Sequence, residues 1–428
     1  MIEYWLQNGK EVLHSLRMEA PTLNEDLIKR LLEPIFQNDG KHTRFSSSMF
    51  SQMLSKNLDD LCSKIVKSLK KIEGERTCSF CGAEQASKLK GMTYPFVISK
   101  DKFPNLYPHG RVESLNICRS CAIESIAAYH NIIFNAQDQD YCSAILFFST
   151  DPISLNLILH NYFQVNPVVK NYFRNWDFGN EIIYYPYEFL AKTLYDLSTN
   201  LTKMYEISNI EFGAFVLGFV PTKKKIYSYV GVARGLSPII TIFYNFRLRL
   251  NRIRNAFDQL FGSMRKARTG RKQVSPDEFL ARDRFFRQLL VQKSIDWLAL
   301  EEILFYNIDK EPPKSIAFIN PFLQIALSEL DLPEKELYDK VSGLGYHLGK
   351  ALLELEDAKR CKSYVYELRR TRKLHEFLDI INRFQLSVEK GIDDRPLREN
   401  ESLFPMLKVI YMIGMCNAIF SGKGEEDK

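Results

Sequence analysis

Much that would announce a function is missing from this chain. It has no H-E-x-x-H, no G-x-S-x-G, no G-x-x-x-x-G-K-[ST] and no His–Asp dyad, so metalloprotease, hydrolase and P-loop chemistry lack their signatures. Gly343, Gly345 and Gly349 are spaced G-x-G-x-x-x-G, but they interrupt a helical pattern and no strand precedes them. They read as small residues for close helix packing and not as a dinucleotide fingerprint. The acid pairs Asp59-Asp60 and Asp393-Asp394 read as surface, and nothing joins a nucleophile to its base. The expectation is a protein that is not an enzyme.

Targeting and membrane signals are also missing. The start, MIEYWLQNGKEVLHSL, carries Glu3, Lys10 and Glu11 and has no basic stretch followed by an apolar run, so no secretory signal is expected. The most apolar late stretch, Val409 to Phe420, holds 12 residues. That is too few for a hydrocarbon layer about 30 Å thick, so it reads as a buried C-terminal helix. No membrane role is expected, and a cytoplasmic setting, where thiols stay reduced, is. No internal repeat is present, and low complexity is confined to the tail GKGEEDK.

What is there is ordinary globular material. Of 428 residues, 45% are hydrophobic and 26% charged, enough to bury cores without disulfide staples and too apolar for wholesale disorder. Length alone suggests two to three domains. Aromatics reach 13%, many of which must line cores or stack on something flat.

The sharpest motif is a pair of C-x-x-C knuckles, Cys78-Ser-Phe-Cys81 and Cys118-Arg-Ser-Cys121, with 36 residues between the inner cysteines. One tight turn lets two thiolates reach one ion at about 2.3 Å, and two such turns close a tetrahedral site. Gly82 follows the first pair, where a turn relaxes into positive φ. The second pair leads into AIESIAAYHNIIF, helical in spacing at Ile123, Ile126, Ala127 and His130. Cys118 and Cys121 would then sit at a helix start, where the dipole favours thiolate. The expectation is structural Zn2+ on Cys78, Cys81, Cys118 and Cys121. A thioredoxin-type dithiol needs a strand ahead of its C-x-x-C, and none is evident. Cys62, Cys142, Cys361 and Cys416 lie in apolar stretches and read as core. The insertion is longer than the roughly 15–20 residues of compact zinc sites. Its Pro95, Pro104, Pro108, aromatics and Lys88, Lys90, Lys100, Lys102 and Arg111 suit either a contact surface or a cover over the metal.

Residues 1–140 read as a helical and zinc-binding domain and 141–240 as a β-containing domain. Residues 241–310 read as a basic helical region and 311–428 as a C-terminal helical bundle, giving an α+β, multidomain architecture. SAILFFST and EIIYYPY are short apolar runs, while AFVLGFV and KIYSYVGVA flank Pro221-Thr-Lys-Lys-Lys225 as a β-hairpin with a basic tip. Phe246, Leu250, Ile253, Phe257 and Leu260 form an apolar stripe, and Pro312-Pro313 marks a break. Asp331-Leu-Pro-Glu334 has the D-x-x-E pattern of a capping box, opening a helix continued by Leu337, Val341, Leu344, Leu348, Leu352 and Leu355.

The whole chain is only +6, but residues 247–287 hold twelve basic against four acidic residues, a local +8. Ten of the twelve are arginine, whose forked donors match phosphate oxygens and whose plane stacks on bases. The centre, Gly262 to Lys272, reads as a basic loop between helices. Candidate nucleic-acid contacts are Arg247, Arg254, Arg265, Lys266, Arg268, Arg271 and Lys272, with Lys223, Lys224 and Lys225 at the hairpin tip. A second cluster, Lys359 to Lys373, has seven basic residues against Glu367.

On CSFCG at 78–82, ICRSCA at 117–122 and the Leu344-Gly-Tyr-His-Leu-Gly-Lys350 helix, the chain resembles the CXXC–CXXC large subunits of type I CRISPR–Cas effector complexes (Cascade). The resemblance implies a non-catalytic subunit of a crRNA-guided complex. Such a subunit recognises a protospacer-adjacent motif on target DNA, helps to open it, and meets other Cascade subunits and a helicase-nuclease. It also implies a C-terminal bundle like the small subunit, made in some relatives from an internal start, for which Met264 is suitably placed. The rival expectations are a free-standing zinc-containing DNA- or RNA-binding regulator, a metal-dependent nuclease, and a scaffold docking an acidic protein.

Overall fold

The computed structural model describes residues 58–88, 116–127, 132–138, 141–149, 186–198, 211–221, 226–250, 257, 276–308, 316–391 and 393–421. It is mostly helical with antiparallel sheets, and divides into two compact units, Met1–Phe189 with Ile210–Ala233 and Leu190–Asn209 with Arg234–Lys428.

In the first unit, helix α1 (Leu58–Lys70) leads to the stub strands β1 (Ser87–Lys88) and β2 (Asn116–Ile117), then to helix α2 (Arg119–Ala127). A four-stranded meander follows in the order β3 (Ile132–Asp138), β4 (Tyr141–Ser149), β5 (Phe212–Pro221), β6 (Ile226–Ala233). SAILFFST falls within β4 save its last residue, and the expected hairpin is β5–β6, paired down to Pro221↔Ile226. One boundary moves. The helix read through IIF stops at Ala127, and Ile132, Ile133 and Phe134 belong to β3, opposite Leu146, Ile145 and Ala144. Helical spacing and a β-branched run compete there, and cross-strand pairing wins. EIIYYPY lies outside the described residues up to Tyr185; its last two residues open helix α3 (Pro186–Leu197).

In the second unit, α4 (Ser237–Arg249), α5 (Pro276–Arg287), a π-turn at Gln288–Gln292, α6 (Trp297–Ile308) and α7 (Ile316–Glu329) gather the aromatics. Tyr195, Phe243, Phe246, Phe257, Phe285, Phe286 and Phe322 are buried, with Phe257 stacked on Phe286 at 5.5 Å between centroids and Phe322 edge-on to Phe246 at 5.3 Å. Edge and offset contacts of this kind add about 0.5–1.5 kcal/mol each beyond area burial.

Helices α8 (Lys335–Leu355), α9 (Ala358–Arg370), α10 (Leu374–Ser387), the short α11 (Arg395–Arg398) and α12 (Phe404–Ser421) complete the bundle. The expected capping box is absent. Asp331 adopts a left-handed φ of 48°, and its N–H reaches Ser328 O while Leu332 N–H reaches Leu327 O. These bonds close α7, so the residue expected to start one helix ends another. The cap of α8 is Glu334, with no side-chain cap bond. The final apolar stretch is also longer than expected, with 20 residues, Glu401–Phe420, long and apolar enough to cross a membrane by composition alone. Here 72% of its apolar window is buried in the protein, so it serves as the core helix.

Gly345 and Gly349 of α8 permit close approach to α12, as their spacing suggested. A Cβ on Gly345 would stand 2.0 Å from Tyr411 O, and one on Gly414 of α12 would stand 1.9 Å from Ser342 O. Asp357 caps α9 by accepting from Arg360 N–H at 2.7 Å. Asp357→Ala is expected to lower unfolding stability by about 1 kcal/mol in a urea titration, with an unchanged m-value.

Candidate metal centre

Cys78, Cys81, Cys118 and Cys121 meet. Their sulfurs all lie within 4.8 Å of one another, and Cys81 Sγ to Cys118 Sγ is 3.5 Å. Four thiolates on one zinc at about 2.3 Å stand about 3.8 Å apart, so the set fits the ion with little adjustment. The separation is also far from the ~2.05 Å of a disulfide, and all four thiols are free.

Local chain chemistry builds the site. Cys78 N–H bonds Ala83 O at 2.8 Å and Gly82 N–H bonds Cys78 O at 3.0 Å, closing the first knuckle with Gly82 at φ +75°. A residue with a Cβ is strained at that angle. Ser79 clamps the other half: its N–H donates to Asn116 O and its Oγ accepts from Asn116 N–H, both at 3.0 Å. The pairing Ser87↔Ile117 and Lys88↔Asn116 then carries the chain into Cys118, directly ahead of α2. A strand stub therefore does precede the second pair, contrary to expectation. A two-thiol redox centre would leave the other pair without a use, whereas four converging thiols suit a closed metal site. Arg119 ties the site to α1, donating from Nε to Leu69 O at 3.3 Å and pairing through Nη2 with Glu73 at 3.2 Å. No sequence signal marks Arg119, Ser79 or Asn116, because their partners are 37 to 50 positions away.

Electrostatics separate the thiols. Burial alone would raise Cys78, but N–H groups of Cys81, Phe80 and Cys118 aimed at its sulfur outweigh it and hold the pKa at about 7. Burial pushes Cys118 up, and it pushes Cys121 far above the ordinary thiol range, with Cys81 and Cys118 adding to that rise. Four sulfurs this close cannot all ionise without a cation among them. Zinc would supply that charge and hold the two knuckles together. With all four positions on protein sulfur, it would leave no site for water, so its contribution would be architectural.

The other predicted sites are distributed differently. Cys361 and Cys416 are fully buried, as core residues should be, and the side chains of Cys62 and Cys142 lie outside the described set. Asp393 and Asp394 are surface partners of Arg395 and Arg398, each at 2.6 Å. Arg247 braces the protein internally: Nη2 donates to Tyr195 O at 2.7 Å and its guanidinium carbon lies 4.0 Å from the Tyr195 ring centroid. Arg282 is buried and Arg284 pairs with Asp296 and Glu302, while Arg249 and Arg287 are exposed. Lys223, Lys224, Lys225, Arg254, Arg265, Lys266, Arg268, Arg271 and Lys272 lie outside the described residues, as do Met264, Pro312-Pro313, residues 89–115 of the insertion and all residues before Leu58.

Compared with known proteins, the chain matches no family model and no curated protein.

Proposed function

We propose that this chain is the non-catalytic large subunit of a crRNA-guided type I CRISPR surveillance complex, acting in a reducing, cytoplasmic compartment on target DNA. The observation that carries this reading is the convergence of the four cysteines, since they are the residues on which the resemblance to the CXXC–CXXC subunits chiefly rests. In this role zinc is a staple. It holds the two ends of the insertion's central 27 residues, which leave at Lys88 and return at Asn116, beside each other on paired strands. A loop based on such a frame is suited to enter a DNA groove, where base edges specify sequence while cations on phosphate supply affinity. The basic residues from Arg249 to Lys272 supply those cations, and the helical C-terminal half packs on partner subunits and the helicase-nuclease.

Two measurements test the proposal. Duplex affinity is compared between the chain alone and the chain reconstituted with crRNA-bearing partners; tight binding is expected only in the second case. Equally tight binding by the isolated chain would favour the free-standing regulator, and metal-dependent cleavage would reveal a nuclease. Within the assembly, alanine at Arg265, Lys266, Arg268, Arg271 and Lys272 is expected to flatten the slope of log affinity against log salt by as much as about 4.5. An unchanged slope would remove the central segment from the mechanism.

A further inference from the structure

The turn from α9 into α10 borders an open cleft of about 560 Å³, lined by Glu301, Tyr366, Arg369, Arg370, Arg372 and Lys408. Its charge is lopsided. The one carboxylate, Glu301, is engaged by Lys408 at 3.2 Å, with the two side chains only 12% and 13% exposed. Lys408 also donates to the carbonyls of Arg369 and Thr371 at 3.1 and 3.4 Å, which offsets the negative end of α9 where it would oppose an anion. Of the nearby acids, one is ion-paired and the other is turned to backbone N–H groups. Glu376 accepts from Arg372 N–H at 2.9 Å and Lys373 N–H at 3.4 Å, and Glu367 pairs with Arg383 at 2.5 Å.

Three guanidinium groups remain. Arg369 lies with its guanidinium carbon over the Phe305 ring, 4.1 Å from the centroid, a cation–π contact that uses none of its N–H donors on a carboxylate. Arg370 and Arg372 are exposed and make no ion pair among the described residues. Forked donors from three arginines within four positions match a run of phosphate oxygens better than a single carboxylate, because each phosphate accepts two N–H bonds side by side. The cleft is open to solvent and not enclosed, which suits a chain laid across it better than a small captured ion.

We propose that this cleft is a second phosphate-binding site, in which Arg369, Arg370 and Arg372 hold the backbone of a nucleic-acid strand. For the identity of its partner it rests on the nucleic-acid reading above; its lining comes from α6, α9, the turn after α9 and α12. The test uses the full chain and a fluorescein-labelled single-stranded oligonucleotide, titrated by anisotropy over a range of salt. Arg370→Glu with Arg372→Glu is expected to weaken binding at least tenfold and to flatten the salt slope by about 1.4, two phosphates at about 0.7 each. Thermal stability should be unchanged, and Arg370→Lys with Arg372→Lys should keep most of the slope. Wild-type affinity and slope in the Glu variant would overturn the proposal. So would an equal loss from Lys340→Glu with Lys350→Glu, which makes the same charge change on exposed positions of α8. Displacement of the strand by inorganic pyrophosphate at matched phosphate concentration would overturn the strand as occupant. Failure here with a sensitive central alanine variant removes the cleft and leaves the function proposal standing; the converse upholds the cleft alone.

Discussion

The purified chain should carry one zinc ion and lose both the ion and the order of its zinc module when Cys118 becomes serine. Structural zinc contributes about 10–16 kcal/mol of apparent binding energy in zinc-finger peptides at neutral pH, and where the site exists only in the folded chain that energy stabilises the fold. Cys118 is a demanding position: it is buried, its N–H donates to Cys78 Sγ at 3.3 Å, and its sulfur accepts from Cys121 N–H at 3.4 Å. Metal analysis and proteolysis of the module provide the readouts, with Cys361→Ser as the control that costs about 1–3 kcal/mol for a buried hydroxyl yet keeps the metal. Full zinc content in Cys118→Ser would show that the cluster is not the binding site. The pH dependence has a definite sign. Because Cys118 and Cys121 hold their protons tightly in the metal-free protein, uptake must release them, so zinc affinity falls as pH is lowered. Below about 7, the proton competes with the metal for the Cys78 sulfur as well.

Gly414→Ala should be the most damaging single methyl addition among the described glycines of the helical bundle. The new Cβ would stand 1.9 Å from the carbonyl oxygen of Ser342, a backbone atom that cannot rotate away, so α8 and α12 must part. Overpacking typically costs about 1–3 kcal/mol. A clash against backbone in a core helix belongs at the top of that range, which lowers the melting temperature by roughly 6–12 °C for a unit of this size. Gly345→Ala, 2.0 Å from Tyr411 O, should behave alike, and the double variant should cost less than both together, since helices already separated relieve the second clash. Gly343→Ala is the opposite case. Nothing lies within 4 Å of its would-be Cβ, and alanine there should stabilise the helix by about 0.5–1 kcal/mol.

The cysteine pairs were legible because four thiols meeting at one point state their requirement in short spacings that survive without structural context. The β5–β6 hairpin was legible for a related reason: alternating runs on either side of a short turn leave few other solutions. Boundaries set by distant neighbours were not. Ile132 to Phe134 continue a helical pattern in sequence, yet β4 offers them a ladder. Asp331 carries the letters of a capping box, yet the end of α7 takes it first. Arginines were hardest to assign. In sequence Arg247 and Arg249 look alike; in the fold one is stacked on Tyr195 and the other faces water. Lys408 showed no sign in the chain of its place beside the 369–372 turn, because it arrives from α12, nearly 40 positions later.

The pairing of Lys88 with Asn116 has a consequence for the loop it closes. Whatever lies between those two residues begins and ends at one spot beside the four-cysteine cluster, so its length and letters can change while the paired strands keep their register. Changes of length in that segment should therefore cost the scaffold only the slowly growing entropy of closing a longer loop, about 0.6 kcal/mol per doubling.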